Sequence, residues 1–250
     1  MKIQVSSDLH IEILDDNDID PLKFITPSAD ILILAGDIGS LYRLIQLKNF
    51  LKKLSSHFKF ILYIPGNHEY YYINEYEKLP LPELESRLES LQNNIPNLHI
   101  LNCNSILINN LCIAGCTLWS KPECKIPKFI VKIPEFNNTN YFNQHKTHLK
   151  YIYRIMKYCK DKDHELLIVT HHPPTYDVLK DTKKRKKFVS LYSTNLDYLL
   201  DKKFVRNWIC GHTHHNFDFY SKKGCRILSN QMGKSKDNIN NYNNSFVLNF

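Results

Sequence analysis

Five apolar runs of strand length, each stopped abruptly by a polar residue, constrain this chain more than any other feature. They read "KIQVSS", "ADILILA", "KFILYI", "HELLIVT" and "NWIC". Each is short, apolar or β-branched, and bounded by turn or polar residues, which predicts a strand. Between them, apolar residues recur at three- and four-residue spacing: Leu44, Leu47, Leu51 and Leu54, then Leu84, Leu88, Leu91 and Ile95, then Leu149, Ile152, Met156 and Cys159. That period lays an apolar stripe along a helix, and Pro82 suits the first turn of the second one. "SILINNLCIAG" divides at Asn109-Asn110 as a hairpin does, "FDFYSKKGCRILSN" reads as another with Gly224 in its turn, and "SFVLNF" closes the chain as one more strand. Strands alternating with helices, then hairpins, predict an α/β fold: a layered β-sheet core with helices on its outer faces.

A chain of 250 residues, 43% hydrophobic, can bury one sizeable core, so residues 1–250 are expected to form a single domain. The opening "MKIQVSSDLH" lacks the apolar stretch of a secretory signal, and no apolar run approaches the roughly 18 residues of a membrane span. The expectation is a cytoplasmic protein that does not enter a membrane. Seven scattered cysteines without a C-x-x-C pair read as buried reduced thiols rather than a zinc site. The net charge of +8 favours acidic or phosphate-bearing partners without naming one. "NINNYNNS" reads as a surface loop with no packing demand behind it.

The residues that stop the strands carry the chemistry. The first strand runs into Asp8 and His10, the second into Asp37, the third into Asn67 and His68, a later one into His171 and His172, and the last into His212, His214 and His215. Open α/β folds place ligands at these strand ends. The chain has only seven glycines, yet Gly36, Gly66 and Gly211 each precede one of these polar residues, where a sharp turn can aim a side chain into a cleft. In Asp8-x-His10 and His212-x-His214 the i, i+2 spacing lets both side chains leave an extended segment on one side. His171 and His172, being adjacent, point apart in extended backbone, so one of them faces the cleft. Carboxylate, amide and imidazole donors together suit manganese, iron, zinc or magnesium. They are too many for one ion, which points to two divalent metals sharing a bridging carboxylate and activating a water between them.

D-x-H, G-D, G-N-H-E, H-H-P-P and G-H-x-H, in this order from Asp8 to His214, resemble the calcineurin-like metallophosphoesterase superfamily. The resemblance implies an αββα sandwich and a dinuclear phosphoric ester hydrolase that acts by in-line attack of a metal-bridging hydroxide. It implies that Asp8, His10, Asp37 and His214 hold one ion, that Asp37 bridges, and that Asn67, His171 and His212 complete the second site. His68 resembles the family's catalytic histidine, contacting the phosphate beside Asn67 and protonating the leaving oxygen.

Where the superfamily's serine/threonine protein phosphatases carry G-D-x-V-D-R-G, this chain reads "GDIGSLYR", which disfavours that branch. The expected substrate is a phosphorylated small molecule or nucleotide, a monoester or a diester. Nucleic acid is a further candidate, as for a nuclease or RNA-processing enzyme, and a catalytically silent scaffold is the reading from another class. The basic run from Lys183 to Lys187, with Lys184 and Arg185 inside it, is either a solvated loop or an electrostatic funnel for such substrates. Tyr70, Tyr71 and Tyr72 read as packing before base stacking, and Trp119 as a cleft-rim or core residue. Specificity in this fold sits between the motifs, here about residues 70–100 and 120–145.

Overall fold

The computed structural model describes every residue except 124, 127–129, 136 and 181–187. Lys183, Lys184 and Arg185 lie outside the described residues, as does Cys124. The strands are β1 (Lys2–Ser6), β2 (Ile31–Ala35), β3 (Phe60–Ile64), β4 (Leu98–Ile100), β5 (Asn104–Ile108), β6 (Leu111–Cys116), β7 (Glu165–Thr170), β8 (Asn207–Ile209), β9 (Asp218–Tyr220), β10 (Arg226–Leu228) and β11 (Val247–Asn249). The helices are α1 (Leu44–Ser55), α2 (Leu81–Asn94), α3 (Asn138–Lys162) and the single turn α4 (Val189–Tyr192).

Two sheets stack face to face. One has the order β11-β1-β2-β3-β4 and the other β5-β6-β7-β8-β10-β9. Within them β1 to β4 run parallel, as do β6, β7, β8 and β10, while β11, β5 and β9 are antiparallel edges. Ile3, Val5, Ile33, Leu62 and Ile64 from the first sheet meet Ile113, Leu167, Val169, Ile209 and Leu228 from the second in a dry layer. The alternate residues of the first sheet, Leu32, Leu34, Ile61 and Tyr63, pack under α1 and α2; those of the second, Ala114, Ile168 and Trp208, pack under α3. Strands buried on both faces explain why their sequences are continuous apolar runs. In α1, Leu47, Phe50, Leu51 and Leu54 are fully shielded, and each contributes about 1.5–3 kcal/mol by burial. The result is the four-layer α/β/β/α sandwich.

Both hairpins form at the expected turns, with Asn109 at φ 54° and Gly224 at φ 81°. Other elements differ from expectation. The third helix starts eleven residues before Leu149, because Asn137 caps it by accepting a hydrogen bond from the Asn140 N–H. The edge strand β4 pairs with β3 through Leu98, His99 and Ile100, where a histidine interrupts the apolar run directly after the helical pattern of α2. The asparagine-rich segment is also docked: the Tyr242 hydroxyl donates to the Phe24 carbonyl and bonds Ser6, and Asn243 bonds Asn230. That seam delivers β11 to the edge of β1, which is the packing demand its composition conceals.

The six described cysteines are free thiols, five of them buried. None of the described helices is long and apolar enough to cross a membrane.

Candidate metal centre

Five of the parallel strands end in a polar loop at one edge of the sandwich. Asp8 and His10 follow β1, Asp37 follows β2, Asn67 and His68 follow β3, His171 follows β7, and His212 and His214 follow β8. The loops are laced together by main chain: the Asp8 N–H donates to the Gly36 carbonyl (2.9 Å), the His10 N–H to Asp37 (3.0 Å), and the Gly211 N–H to His171 (3.0 Å).

The period-two reasoning for Asp8-x-His10 and His212-x-His214 does not describe how these pairs converge. Asp8, His10, Asp37, His212 and His214 all have left-handed backbones, with φ between 49° and 70°. Such a residue costs roughly 1–2 kcal/mol against the ordinary helical or extended regions. Five together in one cleft mark a site where tight loops take precedence over local comfort. The glycines also differ in role. Gly36 supplies a left-handed turn (φ 88°), but Gly66 and Gly211 are needed for space: a Cβ would lie 2.3 Å from Asp37 Oδ1 at the first and 2.5 Å from Asp8 Oδ2 at the second.

Among the described residues three groups of donor atoms result; one is His10, Glu12 and His68, and the other two hold the expected aspartate and histidine ligands. Ligand atoms of Asp8, His10, Asp37 and His214 all lie within 4.8 Å of one another, and so do those of Asp37, His171 and His212. Asn67 Oδ1 is 3.0 Å from His171 Nε2. His172 turns away: its ring packs on His212 (3.9 Å between centroids) and Trp119 (5.6 Å). All seven expected ligands are thus brought together, with Asp37 in both ligand clusters, and of the adjacent pair it is His171 that joins them.

The donor chemistry tests whether cations fit. His10 Nδ1 lies 2.9 Å from Glu12 Oε1 and His214 Nδ1 lies 2.5 Å from Asp237 Oδ2. Each Nδ1 therefore carries the hydrogen, and each Nε2 in a neutral ring presents a lone pair. Those two Nε2 atoms face each other at 2.9 Å, with Asp8 Oδ1 3.5 Å from the second and Asp37 Oδ2 3.8 Å from the first. His171 repeats the pattern: Nδ1 donates to the Ala35 carbonyl (2.9 Å), leaving Nε2 against Asn67 Oδ1 and, at 3.3 Å, Asp37 Oδ1. With the rings neutral these acceptors converge with no donor among them, so positive charge must fill both places, as protons on the imidazoles or as the cations that the same donor set suits.

The titration behaviour has the same origin. Burial pushes the Asp37 carboxyl up, but the charges of His171, His68 and His10 outweigh it and hold the group well below its ordinary value. Burial likewise depresses His171, yet Asp37 and Asp8 carry it up to about 9. His212, buried beside His172 and His171, is driven well below the imidazole range.

Several site residues were not singled out from sequence. Glu12 Oε1 accepts from His10 Nδ1 and, at 3.1 Å, bonds His68 Nδ1. Burial opposes its ionisation, but the two imidazoles hold it at about 2. Its spacing from His10, again i, i+2, was the available signal. Glu69 is fully buried and collects the N–H groups of Gly66 (2.7 Å), Ile38 (2.8 Å) and Asp37 (3.0 Å) with the Tyr63 hydroxyl (2.6 Å). It ties the β2 and β3 loops together. Burial, and then the charge of Asp37, raises it to about 7. Gln231, Lys234 and Asp237 come from "QMGKSKD", which carries no motif. Tyr71 lies along His68, 4.9 Å between centroids, whereas Tyr70 is buried, as is Trp119, which packs on Tyr141 (5.5 Å) and Tyr70 (6.0 Å) as a core residue.

A four-layer sandwich with carboxylate and imidazole clusters at converging strand ends is an α/β/β/α architecture with a candidate metal centre at one edge. The family model for calcineurin-like phosphoesterase matches residues 1–216. Uncharacterized protein L509 of Acanthamoeba polyphaga mimivirus is 27% identical over 95% of this chain and 92% of its own length. Among solved structures, phosphopantetheinyl hydrolase from Mycobacterium tuberculosis superimposes with a TM-score of 0.69 at 17% identity, over 94% of this chain and 90% of that one. A dimetal phosphatase from Danio rerio does so at 0.59 and 12% identity, over 91% and 86%. The chain belongs to the calcineurin-like phosphoesterase family, whose general chemistry is metal-dependent hydrolysis of phosphoesters.

Proposed function

We propose that the chain hydrolyses a phosphomonoester or phosphodiester on a small molecule or nucleotide, using two divalent cations, with manganese the first to test. Asp8, His10, Asp37 and His214 would hold one cation, and Asp37, Asn67, His171 and His212 the other. The observation that carries this reading is the 2.9 Å approach of His10 Nε2 to His214 Nε2, each ring already donating from its other nitrogen to a carboxylate. Two bound cations would neutralise phosphate oxygens and lower the pKa of a water between them.

The protein's own groups supply the rest. His68 stands at the cleft, partly exposed, with its N–H donated to Asp37 Oδ1 (2.7 Å) and Nδ1 on Glu12. Nε2 faces the cleft with Lys234 Nζ 3.4 Å away; with that ammonium turned to the phosphate, a proton carried on Nε2 would pass to the departing oxygen. Tyr71 shields one face of that ring. Glu12, by bonding both His10 and His68, holds the acid and the first ligand cluster in a fixed relation.

The test is turnover of p-nitrophenyl phosphate and bis(p-nitrophenyl) phosphate with added manganese. Asp37→Ala should abolish both activities, and His68→Ala should lower kcat by about 100-fold or more while metal content is retained. Metal-dependent turnover that survives both substitutions would overturn the assignment.

A further inference from the structure

We infer that Lys234 binds the substrate's phosphoryl group and biases the site toward dianionic phosphomonoesters; this rests on the phosphoesterase reading above. Lys234 Nζ lies 3.4 Å from His68 Nε2. With His68 Nδ1 on Glu12, that Nε2 is the cleft-facing atom, so ammonium and imidazole flank one edge of the place where a phosphoryl oxygen must sit.

The position is built. The Met232 N–H donates to the Ser7 carbonyl (3.1 Å) and the Gly233 N–H to Asp8 (2.9 Å), binding this late segment to the loop that carries the first ligands. Gly233 then turns with φ 68°. The Lys234 N–H is held by Asp237 Oδ2 (2.8 Å), the oxygen that also bonds His214 Nδ1. Half-buried, Lys234 has no carboxylate within ion-pair distance among the described residues, although Asp237 is three residues away and already engaged. A partly desolvated cation without its own counterion, aimed at the catalytic edge, is completed by an anion that arrives with the substrate. The matched family region ends at residue 216, so this group comes from a part of the chain outside it.

Charge decides the class. A phosphomonoester is dianionic near pH 7.5, a diester monoanionic, and an added point charge gains about twice as much from the former. Lys234 therefore contributes more to monoester than to diester turnover.

The experiment compares wild type, Lys234→Met and Lys234→Arg, each with manganese, in three measurements: kcat/KM on p-nitrophenyl phosphate, kcat/KM on bis(p-nitrophenyl) phosphate, and calorimetric binding of inorganic phosphate. Methionine keeps the length and packing without the charge. Lys234→Met should lose roughly 10- to 100-fold on the monoester and in phosphate affinity, and only about 3-fold on the diester. Lys234→Arg should recover most of both, and metal content should be the same in all three. Equal losses on the two esters, or unchanged phosphate affinity in Lys234→Met, would overturn the inference while leaving the phosphoesterase reading intact. Wild type inert toward both esters would sink that reading, and the inference with it.

Discussion

Glu69→Gln isolates the buried carboxylate that holds two ligand loops in register, and its cost follows from the geometry. Every hydrogen-bond partner of Glu69 among the described residues is a donor: the N–H groups of Asp37 and Gly66 on Oε2, Ile38 N–H with the Tyr63 hydroxyl on Oε1, and, longer at 3.5 Å, the Gly39 N–H on Oε1. A glutamine can place its oxygen against the first pair and its NH₂ against the second. The Tyr63 hydroxyl can rotate to accept; the Ile38 N–H cannot. One buried N–H is then stranded, at about 1–3 kcal/mol. Above about pH 7, where Glu69 is ionised, the two bonds that survive also lose their charge assistance, at about 1 kcal/mol each. The expected destabilisation is about 3–5 kcal/mol, a large share of a typical domain's stability. Urea unfolding of chelator-treated protein, followed by fluorescence and circular dichroism together, should show the midpoint falling by about 1–2 M. Chelation removes any contribution from bound metal. A midpoint within about 0.3 M of wild type would mean that Glu69 is not the acceptor for these groups, and its place as the tie between the β2 and β3 loops would be refuted.

Two further outcomes are expected. Removing divalent cations with a chelator should lower Tm by about 5–10 °C for each site that manganese fills at 100 times its Kd, because ions bind only the folded clusters; an unchanged Tm on adding manganese would contradict cation binding at the two clusters. Gly66→Ala should fold with a loss of about 1–3 kcal/mol or more and bind metal poorly, since its Cβ would meet Asp37 Oδ1 at 2.3 Å and the Asp37 nitrogen at 2.5 Å. Full metal occupancy in that variant, measured by elemental analysis, would show that the loop yields without moving Asp37.

The sequence by itself determined the strands and the residues that end them. Burial on both faces leaves a continuous apolar run that any window along the chain can detect, as in Ile31–Ala35, and a ligand placed just past it is legible by adjacency. Elements without such a run escaped: β4 is Leu98-His99-Ile100, broken by a histidine and set directly behind the helical pattern that ends at Ile95, and the start of α3 depends on one cap, Asn137. Only the tertiary structure decided how the site closes. His10 and His214 meet across 204 residues, the turns that aim them are left-handed, and Glu12, Glu69 and Lys234 acquire their roles from neighbours distant in the chain. Local periodicity reports which face of an element is dry. It carries no information on which far-off lone pair, proton or charge will stand opposite a given polar group, and that pairing is what makes a cleft into a site.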